Sequence, residues 1–381
     1  MLLLRGVDLF APEPLGRRDV LLGGGRVLAI EPSIEPPRGL AVEVVDGSGL
    51  TCAPGLVDTH AHLGGGGGEG GAHTRVPAVP LSQLTTAGVT TAIGLLGTDC
   101  TTRSIADLLA AARALEALGI TTFCYTGGYT VPPTTLTGSV RGDIVHVDRI
   151  VAVGELAISD HRSSQPTLDE LLRVAADAHV AGMMTGKAGL VHLHLGDGPR
   201  GLELLRRALV ETELPPRTFH PTHVNRNRAL WDEAMAIDGV TVDVSAFPPD
   251  DDTPLAGSCI AAWYHAGRDM SRITMSSDAG GCIPTFDTSG VLLRMEVGGA
   301  HTLLPQVKHA HHLGVPLGSA LATCTRAPAE LFRLHGKGRV APGADADLLL
   351  LSPALAVTGV IAGGRWMVKD SAVVVRGPFE T

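Results

Sequence analysis

The run Pro54-Gly55-Leu56-Val57-Asp58-Thr59-His60-Ala61-His62-Leu63 constrains this chain more than any other stretch. It begins as an apolar strand and ends in two histidines, at positions that put both imidazoles on one face of a strand. That is half of a metal site. Five glycines, Gly64 to Gly68, then lead to Glu69, as if the backbone had to stay close to something small. Histidine pairs of this kind also arise by chance, so the meaning of this one depends on what the rest of the chain sets beside it.

The rest of the middle alternates. Apolar β-type runs at Val89 to Leu96, Thr121 to Tyr125, Ile150 to Ile158, Leu190 to Leu195, Thr218 to His220, Val240 to Val244 and Ile273 to Ser276 are separated by helical stretches. Ser104 to Leu118 and Leu168 to His179 are the clearest helices. The second opens on a capping box, Thr167-Leu168-Asp169-Glu170, and repeats Leu168, Leu171, Leu172, Ala175 and Ala176 at helical spacing. With the run ending at His60, eight β-type runs alternate with helices, the pattern of an α/β chain folded as a (β/α)8 TIM-type barrel. In such barrels reactive groups gather at the carboxyl ends of the strands. An open doubly wound sheet is the alternative, but the Gly64 to Gly68 run lacks both the G-x-G-x-x-G helix context and a Gly-Lys-Ser/Thr ending.

Both ends of the chain read differently from the middle. Leu2 to Leu4, Asp19 to Leu22, Arg26 to Ile30 and Val42 to Val45 are short strands punctuated by glycine and proline, and Ala346 to Leu351, Val360 to Ala362, Arg365 to Val368 and Ala372 to Val375 resemble them. The expected division is a small β-sandwich domain from residues 1–55 plus 335–381, and a catalytic barrel from residues 56–334.

Of the 381 residues, 44% are hydrophobic and only 3% aromatic, which points to a globular core of Val, Leu, Ile and Ala. A net charge of -9 without a basic cluster argues against a nucleic-acid partner and for a small molecule. Cys52, Cys100, Cys124, Cys259, Cys282 and Cys324 have no paired spacing and suit reduced, buried thiols. The segment MLLLRGVDLF meets Arg5 and Asp8 too early for a signal-peptide core, and no apolar run approaches the roughly 20 residues that cross a bilayer. A cytoplasmic protein without membrane contact is expected.

Polar groups stand where the apolar runs stop. His60 and His62 end the first run, Glu155 lies in the fourth, His194 ends Leu190 to His194, His223 follows Phe219 to Thr222, and Asp278 follows Met275-Ser276-Ser277. Four imidazoles and two carboxylates exceed the needs of one tetrahedral zinc and suit two that share a carboxylate. His192 and His220, two and three residues from His194 and His223, suit hydrogen-bonded core histidines equally well. Strand parity puts His192 and His194 on one face, so periodicity cannot choose between them. His309, His311 and His312 sit at helical spacing with no other ligand type near them, and His161, His179 and His265 suit structural or surface roles.

These strings resemble the amidohydrolase superfamily: His-Ala-His after Pro-Gly-Leu-Val-Asp, later single histidines, and Ser276-Ser277-Asp278 after a strand. Gly65 to Glu69, Gly94 to Asp99, Ile158 to Ser163, Pro221 to Asn227 and Met367 to Asp370 are similar, more narrowly, to the isoaspartyl dipeptidases. The resemblance spans nearly the whole chain. It implies two zinc ions per subunit, the more buried held by His60 and His62 and the more exposed by His194 and His223, with Asp278 as ligand and proton shuttle. It implies hydrolysis of the isopeptide bond of β-aspartyl dipeptides by a hydroxide bridging the metals. Glu69 would hold the substrate's α-amino group, Tyr129 would polarise the scissile carbonyl, and Arg162 and Arg226 would take carboxylates. Backbone at Gly67 and Gly68 and the Thr98 hydroxyl would complete the pocket. A homo-oligomer, with an octamer as one form, is implied as well.

Two departures stand out. Where the family bridges its zincs with a carboxylated lysine, this chain has Glu155, which offers the same charge and two oxygens on a shorter arm; Gly154 beside it could supply a bulge that brings the strand inward. Lys187, in Thr185-Gly186-Lys187, competes for the bridge but precedes its strand, at the wrong end of a barrel, and suits a surface role. Cys282 stands where the family contacts substrate with serine, and its thiol is the weaker donor. The competing readings keep the metal site and change the substrate (an N-acyl-amino-acid deacylase, a cyclic amidase or a deaminase) or discard catalysis for a barrel scaffold.

Overall fold

A computed structural model describes residues 1–249, 253–286 and 291–380. The chain opens with β1 (Leu2–Phe10), β2 (Pro14–Gly23), β3 (Arg26–Glu31), β4 (Glu43–Asp46) and β5 (Thr51–Pro54). The alternating region follows, as β6 (Leu56–Ala61), α1 (Leu81–Thr85), β7 (Val89–Gly94), α2 (Ile105–Leu118), β8 (Thr121–Thr126), α3 (Val140–His146), β9 (Ile150–Ile158), α4 (Leu168–Thr185), β10 (Val191–Leu195), α5 (Glu203–Val210), β11 (Phe219–Thr222), α6 (Arg228–Ala236), β12 (Val242–Ser245), α7 (Ala256–His265) and β13 (Ile273–Ser276). A hairpin that the periodicity did not reveal, β14 (Cys282–Phe286) with β15 (Leu292–Val297), comes next, followed by α8 (Leu303–His312), α9 (Leu317–Ala322) and α10 (Arg326–Leu331). The chain closes with β16 (Leu348–Leu351), β17 (Val357–Ala362), β18 (Arg365–Lys369) and β19 (Ala372–Val373).

Strands β6 to β11 form a curled six-stranded parallel sheet in sequence order, and β12 pairs with β13 in parallel. Backbone bonds tie this pair to both edges of the sheet: Val224 N–H to the Asp243 carbonyl at 3.3 Å, and His62 N–H to the Ala279 carbonyl at 2.7 Å. Every residue of these strands from β6 to β13 is buried apart from Thr121 and Phe123 of β8, as expected of parallel strands covered on both faces. The helices explain themselves locally. Ser104 caps α2 by accepting from Asp107 N–H at 3.1 Å, and the Thr167/Glu170 capping box of α4 is formed in full. The α4 helix runs past His179 to Thr185, because nothing breaks it before Gly186 turns the chain at φ 74°.

The two chain ends meet in one nine-stranded sheet, with β16 pairing antiparallel to β5 and β1 parallel to both β4 and β5. The four leucines of β16 show why this sheet stays docked. Leu348 and Leu350 join Leu2, Leu4, Val20 and Ile361 in the sheet's own apolar cluster, while Leu349 and Leu351 join Leu56 and Val89 in the large core. Burying each leucine is worth about 1.5–3 kcal/mol. Among the described residues no helix is long and apolar enough to cross a membrane.

Candidate metal centre and active site

At the carboxyl ends of the parallel strands, side chains far apart in sequence converge. His60 and His62 come from β6, Glu155 from β9, His194 from β10, His223 from just after β11 and Asp278 from just after β13. Three overlapping sets bring their ligand atoms within 4.8 Å of one another: His60, His62 and Glu155; His60, His223 and Asp278; and Glu155, His194 and His223. Glu155 belongs to two of these sets. Its Oε1 lies 3.5 Å from His62 Nε2, while its Oε2 lies 2.9 Å from His194 Nδ1 and 3.5 Å from both His60 Nε2 and His223 Nε2. Asp278 Oδ1 lies 3.2 Å from His62 Nε2 and 3.5 Å from His60 Nε2. His60 Nε2 and Asp278 Oδ1 are buried without a hydrogen-bond partner, a costly arrangement for polar atoms that a cation would relieve. The donor set, imidazole and carboxylate together, fits divalent metals such as zinc.

The backbone explains how Glu155 reaches inward. Val191 pairs with Val153 but Leu193 pairs with Leu156, so β9 carries one residue more than its neighbour across the Gly154-Glu155 step. This slip is a bulge. Gly154 sits at φ 152°, and a Cβ there would stand 2.7 Å from His192 Cβ, so a larger residue has no room. His223 and Asp278 also leave their strands at positive φ, 59° and 55°, a strain of about 1–3 kcal/mol each that turns both side chains toward the centre.

Charges balance within the cluster. Burial opposes the His60 cation, but Glu155 and Asp278 outweigh it and lift His60 to about 9. Burial holds His223 down to about 3 in spite of Glu155. Glu155 and Asp278 are driven upward by burial, yet the surrounding imidazoles hold both below the usual carboxylate range. Both acids are therefore carboxylates, ready to ligate.

Above the cluster lies a small cavity bordered by Gly67, Glu69, Thr98, Tyr129, Arg226 and Cys282. Tyr129 Oη stands 2.9 Å from His194 Nδ1, and burial first of all keeps its phenol protonated, hence a donor. Arg162, with its guanidinium 5.4 Å from the Tyr129 ring, pairs with Glu69 at 3.5 Å, so the two groups assigned to opposite charges of a substrate neutralise each other here. Arg226 reaches toward Asp197 at 3.5 Å and lies over the Phe247 ring at 5.7 Å. Burial and the nearby Glu69 carboxylate push the Cys282 thiol up to about 12, so it acts as a neutral thiol. Gly68, at φ 107°, accepts from Gly71 N–H in the turn that carries Glu69.

The reading from sequence missed four positions. Asp160 receives Arg162 at both oxygens, from Nε at 3.0 Å and from a terminal nitrogen at 2.7 Å, and its Oδ2 also stands 3.0 Å from His194 Nε2. A single carboxylate thus orients a candidate ligand and a candidate substrate-binding group. Arg103 clamps the glycine loop by donating to the carbonyls of Gly64, Gly66 and Val76. Gly65 explains why that loop is glycine: at φ 79°, a Cβ would stand 2.0 Å from the Val76 carbonyl oxygen. Asp58 accepts from the N–H groups of His60 and Ser277, and Asp243 anchors three hydroxyls beneath the cluster. The signal for the last two was a carboxylate inside an otherwise buried strand, Leu56-Val57-Asp58 and Val242-Asp243-Val244.

Other expected positions lie elsewhere. The Lys187 ammonium donates to the carbonyls of Ile144 and Val147 at the end of α3, so it is a half-buried helix cap and not a surface group. His309 and His311 bond to Ser258 and to the Val315 carbonyl, and His265 to the Leu313 carbonyl.

Comparison with known proteins agrees with this geometry. The model of the amidohydrolase family matches residues 51–367. A beta-aspartyl dipeptidase from Fervidobacterium islandicum AW-1, solved with a beta-Asp-Leu dipeptide, superposes with a TM-score of 0.92 at 40% identity over 98% of each chain. A dihydropyrimidinase from Brevibacillus agri shares the fold alone, with a TM-score of 0.68 at 16% identity over 98% of this chain and 96% of the other. By sequence, an allantoinase from Deinococcus radiodurans is 24% identical over 92% of this chain and 86% of its own. A dihydroorotase from Thermus aquaticus is 46% identical over 66 residues, which are 16% of this chain and 14% of that one.

Proposed function

The chain belongs to the amidohydrolase family, and on that premise we propose that it is a hydrolase that uses two zinc ions to cleave the isopeptide bond of β-aspartyl dipeptides. The observation that carries this reading is the pairing of opposite charges beside the ligand cluster: Glu69 and Arg226 border one small cavity there, and Arg162 stands 3.5 Å from Glu69. A β-aspartyl dipeptide presents an ammonium and carboxylates around its scissile amide, the complement of that pattern. The 40% identity to a protein solved with beta-Asp-Leu supports the same substrate class.

In this reading His60 and His62 would hold one zinc and His194 and His223 the other, Glu155 would serve as the shared carboxylate in place of a carboxylated lysine, and Asp278 would complete the donor set. Two bound cations supply an acidified water and a polarised carbonyl. Asp278 takes the proton of the attacking water and returns it to the departing amine. The Tyr129 hydroxyl donates to the carbonyl oxygen as charge builds there, an interaction typically worth about 3 kcal/mol. Arg162 and Arg226 orient carboxylates by paired hydrogen bonds, Glu69 holds the ammonium, and Thr98, Cys282 and the backbone at Gly67 and Gly68 close the wall. Arg162 leaves Glu69 for the substrate while keeping its two bonds to Asp160.

We propose further that the eight parallel strands act as one closed (β/α)8 barrel spanning residues 56–334, and that residues 1–55 with 335–381 form a small β-sandwich domain beside it. A soluble cytoplasmic homo-oligomer fits the same reading.

The test is a substrate screen. β-Asp and γ-Glu dipeptides are compared with N-acyl amino acids, dihydroorotate and allantoin, with Arg226→Ala alongside. Fastest turnover of β-Asp-Leu, with a KM raised at least tenfold by Arg226→Ala, supports the proposal; turnover of the cyclic amides without cleavage of β-Asp-Leu contradicts it and selects a cyclic amidase.

A further inference from the structure

We propose that a buried hydrogen-bond chain running from Asp243 through Thr274, His220 and His192 sets the tautomer of His60 and so aims the bare Nε2 of that ring at the metal centre. The links are short: Thr274 Oγ1 to Asp243 Oδ1 at 2.6 Å, His220 Nε2 to Thr274 Oγ1 at 3.0 Å, His192 Nδ1 to His220 Nδ1 at 3.0 Å, and His60 Nδ1 to His192 Nε2 at 2.9 Å. Every member is fully buried.

The direction follows from counting protons. Asp243 is a carboxylate that only accepts, and it takes hydroxyl protons from Thr222, Ser276 and Thr274. Thr274 has one proton and gives it to Asp243, a stronger acceptor than the Val242 carbonyl at 3.4 Å. Its oxygen is left to accept, so His220 carries its proton on Nε2. A neutral imidazole holds one proton, so His220 Nδ1 is bare and accepts from His192 Nδ1–H. His192 Nε2 is then bare in turn and accepts from His60 Nδ1–H. The His60 Nδ1 proton is thus committed to His192 whether the ring is charged or neutral, and when the ring is neutral, as a metal ligand must be, its lone pair lies on Nε2.

Two separate observations agree. His60 Nε2 is buried without a hydrogen-bond partner and lies 3.5 Å from both Glu155 and Asp278, so the nitrogen left over by the relay is the one that faces the donor cluster. The rings are also held against flipping: Tyr125 stacks on His192 with centroids 5.0 Å apart and an interplanar angle of 17°, while Phe332 packs edge-on against both Tyr125 and His220. Tyr125 is itself fixed by its bond to the Thr59 carbonyl at 2.8 Å. Asp243, Thr274, His220 and His192 are positioning residues, since none touches the cavity. Partners of this kind fix a ligand's orientation and basicity, and their loss typically costs about 10- to 100-fold in metal affinity.

The tautomer assignment stands on the chain's own hydrogen bonds; only the effect on affinity rests on the two-zinc reading. The experiment has two arms. In the first, the metal-free protein labelled with ¹⁵N-histidine is examined by long-range ¹H–¹⁵N NMR, with His192 and His220 assigned through their Cβ correlations. The expected result is His192 protonated on Nδ1 alone and His220 on Nε2 alone; the opposite tautomer at either ring, or an imidazolium, overturns the proposal. In the second arm, zinc affinity is measured by competition with a chromophoric chelator for wild type, Thr274→Val and Thr274→Ser. Affinity about tenfold or more lower in Thr274→Val and restored in Thr274→Ser supports the relay. Equal affinity in all three overturns its effect on the metal. A wild-type chain that binds no zinc would instead contradict the two-zinc reading, and the first arm would still decide the relay.

Discussion

Strands β10 and β16 are both short and buried on both faces, yet they are put to opposite uses. In β16 every residue is leucine, and alternate side chains feed the terminal-sheet cluster and the large core. In β10, Val-His-Leu-His-Leu, the leucines do the same packing while the alternate positions carry His192 and His194 inward. Burying imidazoles is tolerable only because each finds partners: His192 between His60 and His220, His194 between Glu155 and Asp160. The difference teaches that one strand supplies stability and the other gives part of it up to hold chemistry.

That contrast can be broken from either side. The largest effect is expected on the chemical side, where Asp278→Asn should lower kcat by about 10³-fold, within the range of a lost general base, while the unfolding midpoint in urea stays within error. On the packing side, Leu350→Ala should destabilise the fold by about 2–5 kcal/mol by chemical denaturation, yet leave zinc content and kcat of the folded protein unchanged. A loss of zinc from Leu350→Ala would mean that the two regions are coupled. Asp160→Asn sharpens the comparison, because it disturbs only the groups that orient His194 and Arg162. It should weaken zinc about 10- to 100-fold in chelator competition and raise KM, with little change in unfolding. Lys187→Met should have the smallest effect, about 1 kcal/mol of stability from a lost helix cap and no change in metal content.

The same contrast explains how far the residues could be read in advance. Parallel strands announce themselves as continuous apolar runs, so Ile150 to Ile158 and Ile273 to Ser276 match their observed bounds. The hairpin β14–β15 did not, since Cys282 to Phe286 contains a proline and Leu292 to Val297 two charges. Parity could not separate His192 from His194 because both point the same way; only depth does, with His194 beside the cavity and His192 one layer beneath it. Glu155 was readable as a carboxylate at the right strand, and the Gly154 bulge beside it is the slip that its shorter arm needs. Asp160 and Arg103 stayed hidden because their work is done on loops that meet only after folding.

The account turns on Glu155 as the shared ligand, and the most direct test is metal content. Zinc-supplied wild-type protein and Glu155→Gln, both shown folded by circular dichroism, would be assayed by inductively coupled plasma mass spectrometry together with β-Asp-Leu turnover. The account predicts about two zinc ions per wild-type chain, and fewer than about one with turnover lost in the variant. A Glu155→Gln chain that kept the wild-type zinc content and full turnover would contradict it.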